Sequence, residues 1–346
     1  MSGLKQILDS TRMGRGAETL QEEMHKRIVG QDQAIQQIVR IYQTFQAGMT
    51  VPGRPVGSLL FLGPTGSGKT RTVEAMAESL LGDPRAVLKV DCAEFQHSHE
   101  IAKLIGSPPG YLGHRETRAQ LSQEALNQFH TETLKLSFVL FDEIEKANDA
   151  LWNLLLGILD KATLTLGDNK RVDFSQSIIF LTSNLGAAEM SALLRPKLGF
   201  SSNEPDAQLA EKLAHAGSEA ARRRFTPEFL NRIDQVVTFR PLGEPELQRI
   251  LDIELDDVRR RLVRASGAAI RFEISDSARA LLLQEGTDSR YGARHLKRAI
   301  ERRLVHPISN LIATEQAQPG DRLLVDCDAG RFIFAKELPG LASVAA

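Results

Sequence analysis

A glycine-rich stretch that directly follows an apolar run carries the clearest chemical signal in the sequence. In LLFLGPTGSGKT, Gly63 is followed by four residues and then by Gly68-Lys69-Thr70. Backbone N–H groups of such a loop turn inward around phosphate oxygens, the lysine adds positive charge, and the threonine hydroxyl binds Mg²⁺. The apolar run before it and the helical pattern after it disfavour a chance glycine-rich turn. The predicted nucleotide-binding residues are Pro64, Thr65, Gly66, Ser67, Gly68, Lys69, Thr70 and Arg71.

Two acids and an amide that follow later apolar runs complete this chemistry. Asp142 and Glu143 end LSFVLFDE, where we expect Asp142 to hold the Mg²⁺ through water and Glu143 to polarise the attacking water. Asn184 ends FLTSN and would orient that water or contact the terminal phosphate, unless it caps the helix that follows. With Lys69, these residues predict hydrolysis of a terminal phosphate, because the sequence shows no pocket for a second substrate.

These side chains need a sheet whose strands end at one edge. Short apolar runs bounded by turn residues occur at 59–62, 87–90, 138–141, 178–181 and 236–239. Longer helical patterns separate most of them, including a helix pair that begins near Glu22 and is broken at Gly30-Gln31. The alternation predicts an α/β fold, with a parallel sheet covered by helices on both faces.

The pattern changes at RPLGEPE, residues 240–246, where we place a domain boundary. Beyond it the sequence predicts mainly helices, at about 244–264, 276–284 and 293–312, with short strands near Ile270, Leu323 and Phe332. We divide the chain into an N-terminal extension (1–19), a large domain (20–240), a small domain (241–337) and a tail (338–346).

Composition excludes several classes of protein. The net charge of −1 gives no bulk electrostatic reason to expect nucleic acid or an anionic membrane as the main partner. No apolar run is long enough to span a bilayer, and the first residues lack the apolar core of a secretory signal, so we expect a cytoplasmic protein. Only Cys92 and Cys327 are present, which fits a reducing compartment. Cys92 lies near His97 and His99 in sequence, but this spacing matches no common zinc pattern.

Several motifs, in their order and spacing, resemble the Clp-type AAA+ ATPases, which are ring-forming protein unfoldases and disaggregases. They are VGQD, LFLGPTGSGKT, GSPPGYLGH, VLFDEIEKA, TSNLG, FTPEFLNRID and YGARHLKRAI, from about Leu20 to Lys336. The resemblance is greatest to the second ATPase module of ClpB, ClpC and ClpA, which we expect to stand alone here, without the usual N-terminal substrate domain or first ATPase ring. The resemblance implies a three-layer P-loop domain, a small helical lid domain, and a homohexamer that binds ATP and Mg²⁺ between neighbouring subunits.

The resemblance also assigns roles to residues outside the P-loop. Val29-Gly30 would border the adenine. Arg232, in NRID, would be an arginine finger donated to the next subunit, the alternative being a local ion pair with Glu228 or Asp234. Arg294, in GAR, would contact the phosphates from the lid, the alternative being an exposed helix arginine.

A glycine-flanked aromatic in GSPPGYLGH resembles the loop that lines the central pore of this family. Its residues are Gly110, Tyr111, Leu112 and Gly113. A large flat side chain can grip any unfolded polypeptide without specific hydrogen bonds, and the glycines let the loop swing. The alternative is that Tyr111 is a buried anchor of its own domain.

A second loop, RPKLGFSSNEPDAQ, contains the tripeptide Leu198-Gly199-Phe200. It resembles the apolar-Gly-apolar tripeptide by which some family members dock on a Clp-type peptidase. The alternative is that Leu198 and Phe200 pin the loop to their own domain.

Two stretches depart from the family pattern. HRETRAQ (114–120) follows the tyrosine where the family usually has a glycine pair, and DKATLTL (160–166) replaces the usual DDGRLTD. The pore surface is therefore expected to be specialised, whereas nothing catalytic is missing. The leading expectation is an ATP-driven protein unfoldase that threads polypeptides through the pore of a hexamer and delivers them to a Clp-type peptidase. Alternatives are a stand-alone chaperone, an AAA+ nucleic-acid motor, which the lack of a basic pore sequence disfavours, and an ATP-binding regulatory scaffold.

Overall fold

The chain divides into two units, and a computed structural model describes residues 8–107, 119–193, 206–266, 270–287 and 292–337. The larger unit runs to Arg240 without the P-loop tip, and the smaller unit begins at Pro241 and also takes in that tip, Pro64–Ser67. Within the described ranges, no helix is long and apolar enough to cross a membrane.

The strands of the larger unit form a five-stranded parallel sheet and a two-stranded hairpin. They are β1 (Gly57–Leu62), β2 (Leu88–Asp91), β3 (Ser137–Asp142), β4 (Thr163–Thr165), β5 (Arg171–Asp173), β6 (Ser177–Ser183) and β7 (Gln235–Thr238). Five of them form the parallel sheet in the order β2-β3-β6-β1-β7. Each of the five predicted apolar runs overlaps a strand of this sheet, and the three inner strands β3, β6 and β1 are buried almost throughout, as expected of strands covered on both faces.

Helices of the larger unit connect these strands. They are α1 (Arg15–Arg27), α2 (Asp32–Gln46), α3 (Lys69–Leu81), α4 (Ala102–Ile105), α5 (Gln123–Asn127), α6 (Asp149–Lys161), α7 (Ala187–Leu193), α8 (Asp206–Arg224) and α9 (Pro227–Asn231). The helix pair begins earlier than the apolar pattern indicated, so that 15–19 of the expected extension is helical. Helix starts follow local chemistry: Asn148 and Thr226 accept hydrogen bonds from backbone N–H groups in the first turns of α6 and α9.

Alternate residues of the sheet pack into two cores, one on each face. Leu60 and Leu62 of β1 join the core that α6 covers, whereas Leu59 and Phe61 join the core under α1, α2 and α3. Phe61, for example, lies 4.9 Å from Phe239 between ring centres, and full burial of such a side chain contributes about 1.5–3 kcal/mol. Helices on both faces of a parallel sheet confirm the predicted three-layer fold.

A short hairpin, β4–β5, is present although the sequence analysis did not predict it. Its strands are only three residues long and partly polar, which is too short for an alternating pattern to be read. Its first strand lies in the stretch (160–166) that departs from the family pattern. Ala162, which ends α6, has a left-handed backbone (φ 48°) where a glycine would be favoured.

The smaller unit packs helices against a three-stranded sheet. Its elements are α10 (Glu244–Ser266), β8 (Arg271–Ile274), α11 (Asp276–Gly286), α12 (Ala293–Ile300), a π-helical turn (Glu301–Val305), α13 (His306–Ala313), β9 (Arg322–Asp328) and β10 (Arg331–Lys336). β8 pairs parallel with β9, which pairs antiparallel with β10. The helix predicted over 293–312 is therefore continuous in direction but contains a wider turn just before Pro307.

Candidate nucleotide site

The P-loop joins β1 to α3 and holds its lysine across the mouth of the loop. Lys69 is only 7% exposed, and its Nζ donates to the Gly63 carbonyl at 2.7 Å and to Asn184 Oδ1 at 2.9 Å. Two glycines make this path possible. Gly68 has φ 101°, and a Cβ on Gly63 would lie 2.7 Å from the Phe239 carbonyl oxygen. The buried ammonium is thus oriented by the chain itself, as a phosphate-binding lysine must be.

The strand order explains why distant residues meet here. Because β6 lies between β1 and β3, Asn184 follows a strand that neighbours both the P-loop strand and the strand ending at Asp142. The Asn184 amide bridges the site: its oxygen accepts from Lys69 and its Nδ2 donates to Glu143 Oε1 at 3.0 Å. The side chain thus contacts two other predicted site residues, and its contact with water or phosphate stays a prediction.

Asp142 and Thr70 provide oxygen atoms suited to Mg²⁺. The Thr70 hydroxyl lies 3.4 and 3.5 Å from the Asp142 carboxylate oxygens, and Thr182 Oγ1 donates to Asp142 Oδ1. The first distances are too long for a strong hydrogen bond, so the carboxylate can also accept from metal-bound water. One hydroxyl and one carboxylate fit Mg²⁺, which usually keeps several waters and takes phosphate oxygens as ligands.

Glu143 occupies a strained turn directly after β3. Its backbone is left-handed (φ 56°, ψ 48°), which costs a residue other than glycine about 1–3 kcal/mol. The Glu143 N–H donates to Thr182 Oγ1 at 3.1 Å, and its carboxylate also pairs with Lys146, whose pKa this hydrogen bond raises. Strain of this kind persists only where the surroundings over-determine it, as at functional sites.

Two residues that the sequence analysis did not single out contact residues of the site, and a third fixes the chain just after β7. Thr182 lies two positions before Asn184, so the strand period placed both on one face of β6 and could have indicated it. Glu145 Oε1 accepts the Asn184 backbone N–H at 3.0 Å. Gln31 donates to the Arg240 carbonyl at 2.9 Å and accepts the Arg240 N–H at 3.1 Å. No local pattern marks the last two, because their partners are distant in sequence.

Arg232 closes α9 and pairs with a residue that the sequence analysis did not consider. Its Nη1 lies 3.1 Å from Asp160 Oδ1, and both side chains are partly exposed. Of the two expected local partners, Asp234 instead accepts hydrogen bonds from the Ser58 N–H and hydroxyl, both at 2.8 Å. The Arg232 guanidinium is thus held at the surface, and its donation to a neighbour stays a prediction.

Other predicted nucleotide contacts lie at the margins of the loop. Arg71 pairs with Glu78 of the same helix, α3, at 3.1 Å. Its side chain therefore runs along the helix, away from the P-loop, where it was predicted to bind phosphate. Val29 is buried and Gly30 turns the chain between α1 and α2. In the smaller unit, which includes Gly66, the Ala293 N–H donates to the Gly66 carbonyl at 3.2 Å, one residue before the exposed Arg294.

The pore-loop and docking predictions fall outside the described residues. Gly110, Tyr111, Leu112 and Gly113 lie in 108–118, and Leu198, Gly199 and Phe200 lie in 194–205. The stem of the first loop is described: Leu121 N–H donates to the Leu104 carbonyl at 3.1 Å, and Gly167, at the β4–β5 hairpin, donates to the Ile105 carbonyl at 2.8 Å. The hairpin that departs from the family pattern therefore buttresses that stem.

The cysteine–histidine stretch is not assembled for a metal. Cys92 is fully buried, and burial, with a smaller contribution from Asp142, raises the pKa of its thiol. His97 and His99 are exposed and stack on each other with ring centres 5.6 Å apart. Within the described ranges, no three His, Cys, Asp or Glu side chains are grouped to hold a metal ion.

A P-loop lysine, paired acids and a bridging amide, all at the carboxyl edge of a five-stranded parallel sheet, define a P-loop ATPase of the AAA+ class. Family comparisons agree. The AAA domain (Cdc48 subfamily) matches residues 54–236, and the C-terminal D2-small domain of ClpB matches residues 242–325. The chain belongs to this family of AAA ATPases and carries the ClpB-type small domain.

Curated relatives extend this result to the Clp chaperones. The chain is 38% identical over 311 residues to the chloroplastic chaperone ClpD1 of Oryza sativa subsp. japonica, covering 90% of this chain and 32% of the relative. It is 39% identical to ClpB of Meiothermus ruber (88% and 34%) and 37% identical to the Clp protease ATP-binding subunit ClpC of Staphylococcus aureus strain USA300 (91% and 37%). The chain thus spans about a third of the length of these relatives.

A solved structure is similar over nearly the whole chain. The closed-state cryo-EM reconstruction of Hsp104 with ATPγS and FITC casein matches with a TM-score of 0.77 and 28% identity. The match covers 92% of this chain and 51% of that chain.

Proposed function

We propose that the protein is an ATP-hydrolysing unfoldase that acts as a homohexamer and threads unfolded polypeptides through a central pore. The observation that supports the proposal is the hydrogen-bonded series Lys69–Asn184–Glu143, which joins the buried lysine of the P-loop to the carboxylate proposed to activate water. The Hsp104 reconstruction with a nucleotide analogue and casein supports extending this site to protein substrates.

In the proposed mechanism the chain binds, orients and polarises. Lys69 and the P-loop amides hold the phosphate oxygens, and Thr70 and Asp142 hold Mg²⁺, which neutralises charge on the phosphates when bound. Glu143 accepts a proton from the attacking water, and Asn184 keeps the carboxylate and the lysine in register. When a bound phosphate draws the Lys69 ammonium outward, the hydrogen bond between Lys69 and Asn184 changes. Because the same Asn184 amide also bonds Glu143, nucleotide binding alters the position of the Glu143 carboxylate.

The primary test measures ATP hydrolysis and unfolding together. A permanently unfolded protein should stimulate ATP hydrolysis, and a tagged fluorescent protein should lose its fluorescence only when ATP is present. Tyr111→Ala should lower the number of substrate molecules unfolded per ATP hydrolysed, because the aromatic grips the chain. Hydrolysis without unfolding would favour the regulatory scaffold, and stimulation by DNA or RNA alone would favour the nucleic-acid motor.

Shared active sites are part of the proposal, because Arg232 is expected to serve the neighbouring subunit. Mixing Arg232→Ala chains with Glu143→Gln chains produces some interfaces with both defects and some with neither. ATP hydrolysis should then partly return relative to either variant alone. A mixture no more active than the sum of its parts would rule out donation between subunits.

The names of the relatives support two alternatives, delivery of substrates to a Clp-type peptidase and chaperone action without a peptidase. ClpC is named as a protease subunit, whereas ClpB and ClpD1 are named as chaperones. Replacing Leu198 and Phe200 by Ser should abolish peptidase-dependent degradation alone if the tripeptide docks. Loss of hexamers and ATP hydrolysis together would mean that the loop is structural. A cytoplasmic location also stays a prediction, since one relative is chloroplastic.

A further inference from the structure

The side chains of Arg224 and Trp152, here called the clamp, bind the turn that carries Glu143. The proposed chemistry assigns no role to these two side chains. Arg224 ends α8, and its Nε and Nη2 both donate to the carbonyl oxygen of Glu145, at 3.2 and 2.9 Å. Its guanidinium carbon lies 4.3 Å from the centre of the Trp152 ring, within the range of cation–π attraction. One arginine therefore binds the turn and the indole at once.

Trp152 holds the preceding residue of the same turn. Its indole Nε1 donates to the Ile144 carbonyl at 3.1 Å, and the side chain is only 5% exposed. It packs edge-on against Phe225 at 5.2 Å between ring centres and also contacts Phe229. Two successive carbonyls, those of Ile144 and Glu145, are thus fixed by side chains from α6 and α8.

These contacts complete the restraint of the strained turn. Thr182 and Asn184 hold it from β6, through the Glu143 N–H and the Glu145 carboxylate. The clamp holds it from the helical side. Without the clamp, the left-handed backbone of Glu143 could relax and re-aim its carboxylate.

We propose that Arg224 is a positioning residue for hydrolysis: by fixing the turn after Glu143, it keeps that carboxylate aimed at the attacking water. The inference rests on the proposed function, in which Glu143 activates water. The clamp also ties this turn to α9, because Phe225 and Phe229 pack on Trp152 and α9 ends beside Arg232.

Steady-state ATP hydrolysis by the full chain tests the proposal. Arg224→Ala should lower kcat about 10- to 100-fold, the effect of a small misplacement of a reacting group. KM for ATP should stay within about twofold, because the variant leaves the P-loop intact. Arg224→Lys should recover part of kcat, since it keeps a donor and the charge but loses the planar stacking.

Arg223→Ala is the matched control. Arg223 is the neighbouring residue on the same helix, but its guanidinium pairs with Glu219 at 2.8 Å and is largely exposed. Its removal should leave kcat and KM unchanged. An equal loss of kcat in Arg223→Ala would overturn the assignment to Arg224.

Intrinsic fluorescence reports on the clamp directly, because Trp152 is the only tryptophan of the sequence. Arg224→Ala should shift its emission, whereas Arg223→Ala should not. An unshifted emission, or a shifted emission with normal kcat, would overturn the proposal. So would loss of kcat in both Arg224 variants together with loss of hexamers or of ATP binding, which would indicate a purely structural role.

Glu143→Gln separates this inference from the proposed function. Normal turnover by Glu143→Gln would overturn the role of Glu143 itself. Stalled turnover by Glu143→Gln with normal turnover by Arg224→Ala would overturn only the positioning role.

Discussion

Glu143, at the nucleotide site of the larger unit, and Ala329, at the tip of the β9–β10 hairpin in the smaller unit, share a left-handed backbone. Their φ angles are 56° and 47°. Around Glu143, backbone and side-chain groups of its turn are bonded by Thr182, Asn184 and the Arg224–Trp152 clamp. Ala329 is exposed and shares a two-residue turn with Gly330, since Asp328 pairs with Arg331.

The difference indicates where a strained left-handed backbone serves a purpose. At the candidate site, Glu143 has the proposed role of activating water, and the surroundings hold a backbone that glycine would adopt more readily. At the hairpin the methyl group of Ala329 contributes nothing that requires it, and a type I′ turn prefers Asn, Asp or Gly at this position. Strain should therefore be removable at the hairpin and not at the site.

The largest effect is expected at the strained carboxylate. Glu143→Gln keeps an oxygen that can accept from Asn184 but loses the carboxylate, and with it the proton acceptor and the pair with Lys146. Hydrolysis should therefore fall about 10²- to 10⁴-fold while ATP binding persists. Single-turnover hydrolysis and nucleotide titration measure the two quantities separately. Glu94→Gln, at an exposed position, is the control. A common loss of binding and hydrolysis would show that Glu143 holds the fold rather than the water.

Lys69→Ala should weaken nucleotide binding about 10- to 100-fold, because a buried, charge-assisted contact with phosphate is lost. Titration with a fluorescent ATP analogue measures this change. Lys170→Ala is a suitable control, since Lys170 is exposed and pairs with its near neighbour Asp168 at 2.9 Å. Unchanged affinity in Lys69→Ala would remove the lysine from phosphate binding.

At the hairpin, substitution should stabilise. Ala329→Gly should raise the free energy of unfolding of the smaller unit by about 0.5–1 kcal/mol, and Ala329→Val should lower it, because a β-branched side chain suits this backbone less. Urea denaturation measures both. Glu143→Gly should bring no such gain, because it also removes the bonds from Asn184 and Lys146. A matching gain at Glu143 would break the comparison.

The smallest effect concerns a surface ion pair of the smaller unit. Glu285 accepts from Arg303 at 2.7 Å and from Arg302 at 3.0 Å, and hydrogen bonding with Arg303 is the main cause that lowers its pKa. A lowered pKa in the folded state stabilises above about pH 5, and the stabilisation is lost as pH falls through the ordinary carboxyl range. Glu285→Gln should cost less than about 1 kcal/mol at pH 7, and the cost should vanish once the pH falls below the lowered pKa of the folded state. An unfolding cost that does not depend on pH would contradict this.

Much of the fold could be predicted because it depends on local patterns. Apolar runs indicated the five strands of the parallel sheet, and the glycine-rich turn between β1 and α3 has a chemistry that few other sequences share. The β4–β5 hairpin was missed because three-residue strands carry too little periodicity.

The candidate site was predictable in its members but not in its restraints. Lys69, Asp142, Glu143 and Asn184 each follow a predicted strand, so parallel strands bring them to one edge. The left-handed backbone of Glu143, the Asp160 partner of Arg232 and the clamp of Arg224 depend on contacts between elements far apart in the chain. Local propensity carries no information about such pairs.

The Gln31 side chain affects whether the β7 edge of the sheet can pair with a strand from another molecule. Phe239 donates its N–H to Leu62 of β1, so the N–H and carbonyl of Arg240, one residue on, face outward from β7, which is an edge of the sheet. Gln31 bonds both groups, as the backbone of a neighbouring strand would. An extended segment from another chain therefore finds these two backbone groups at the end of the edge already bonded, which leaves fewer unpaired groups there for edge-to-edge pairing.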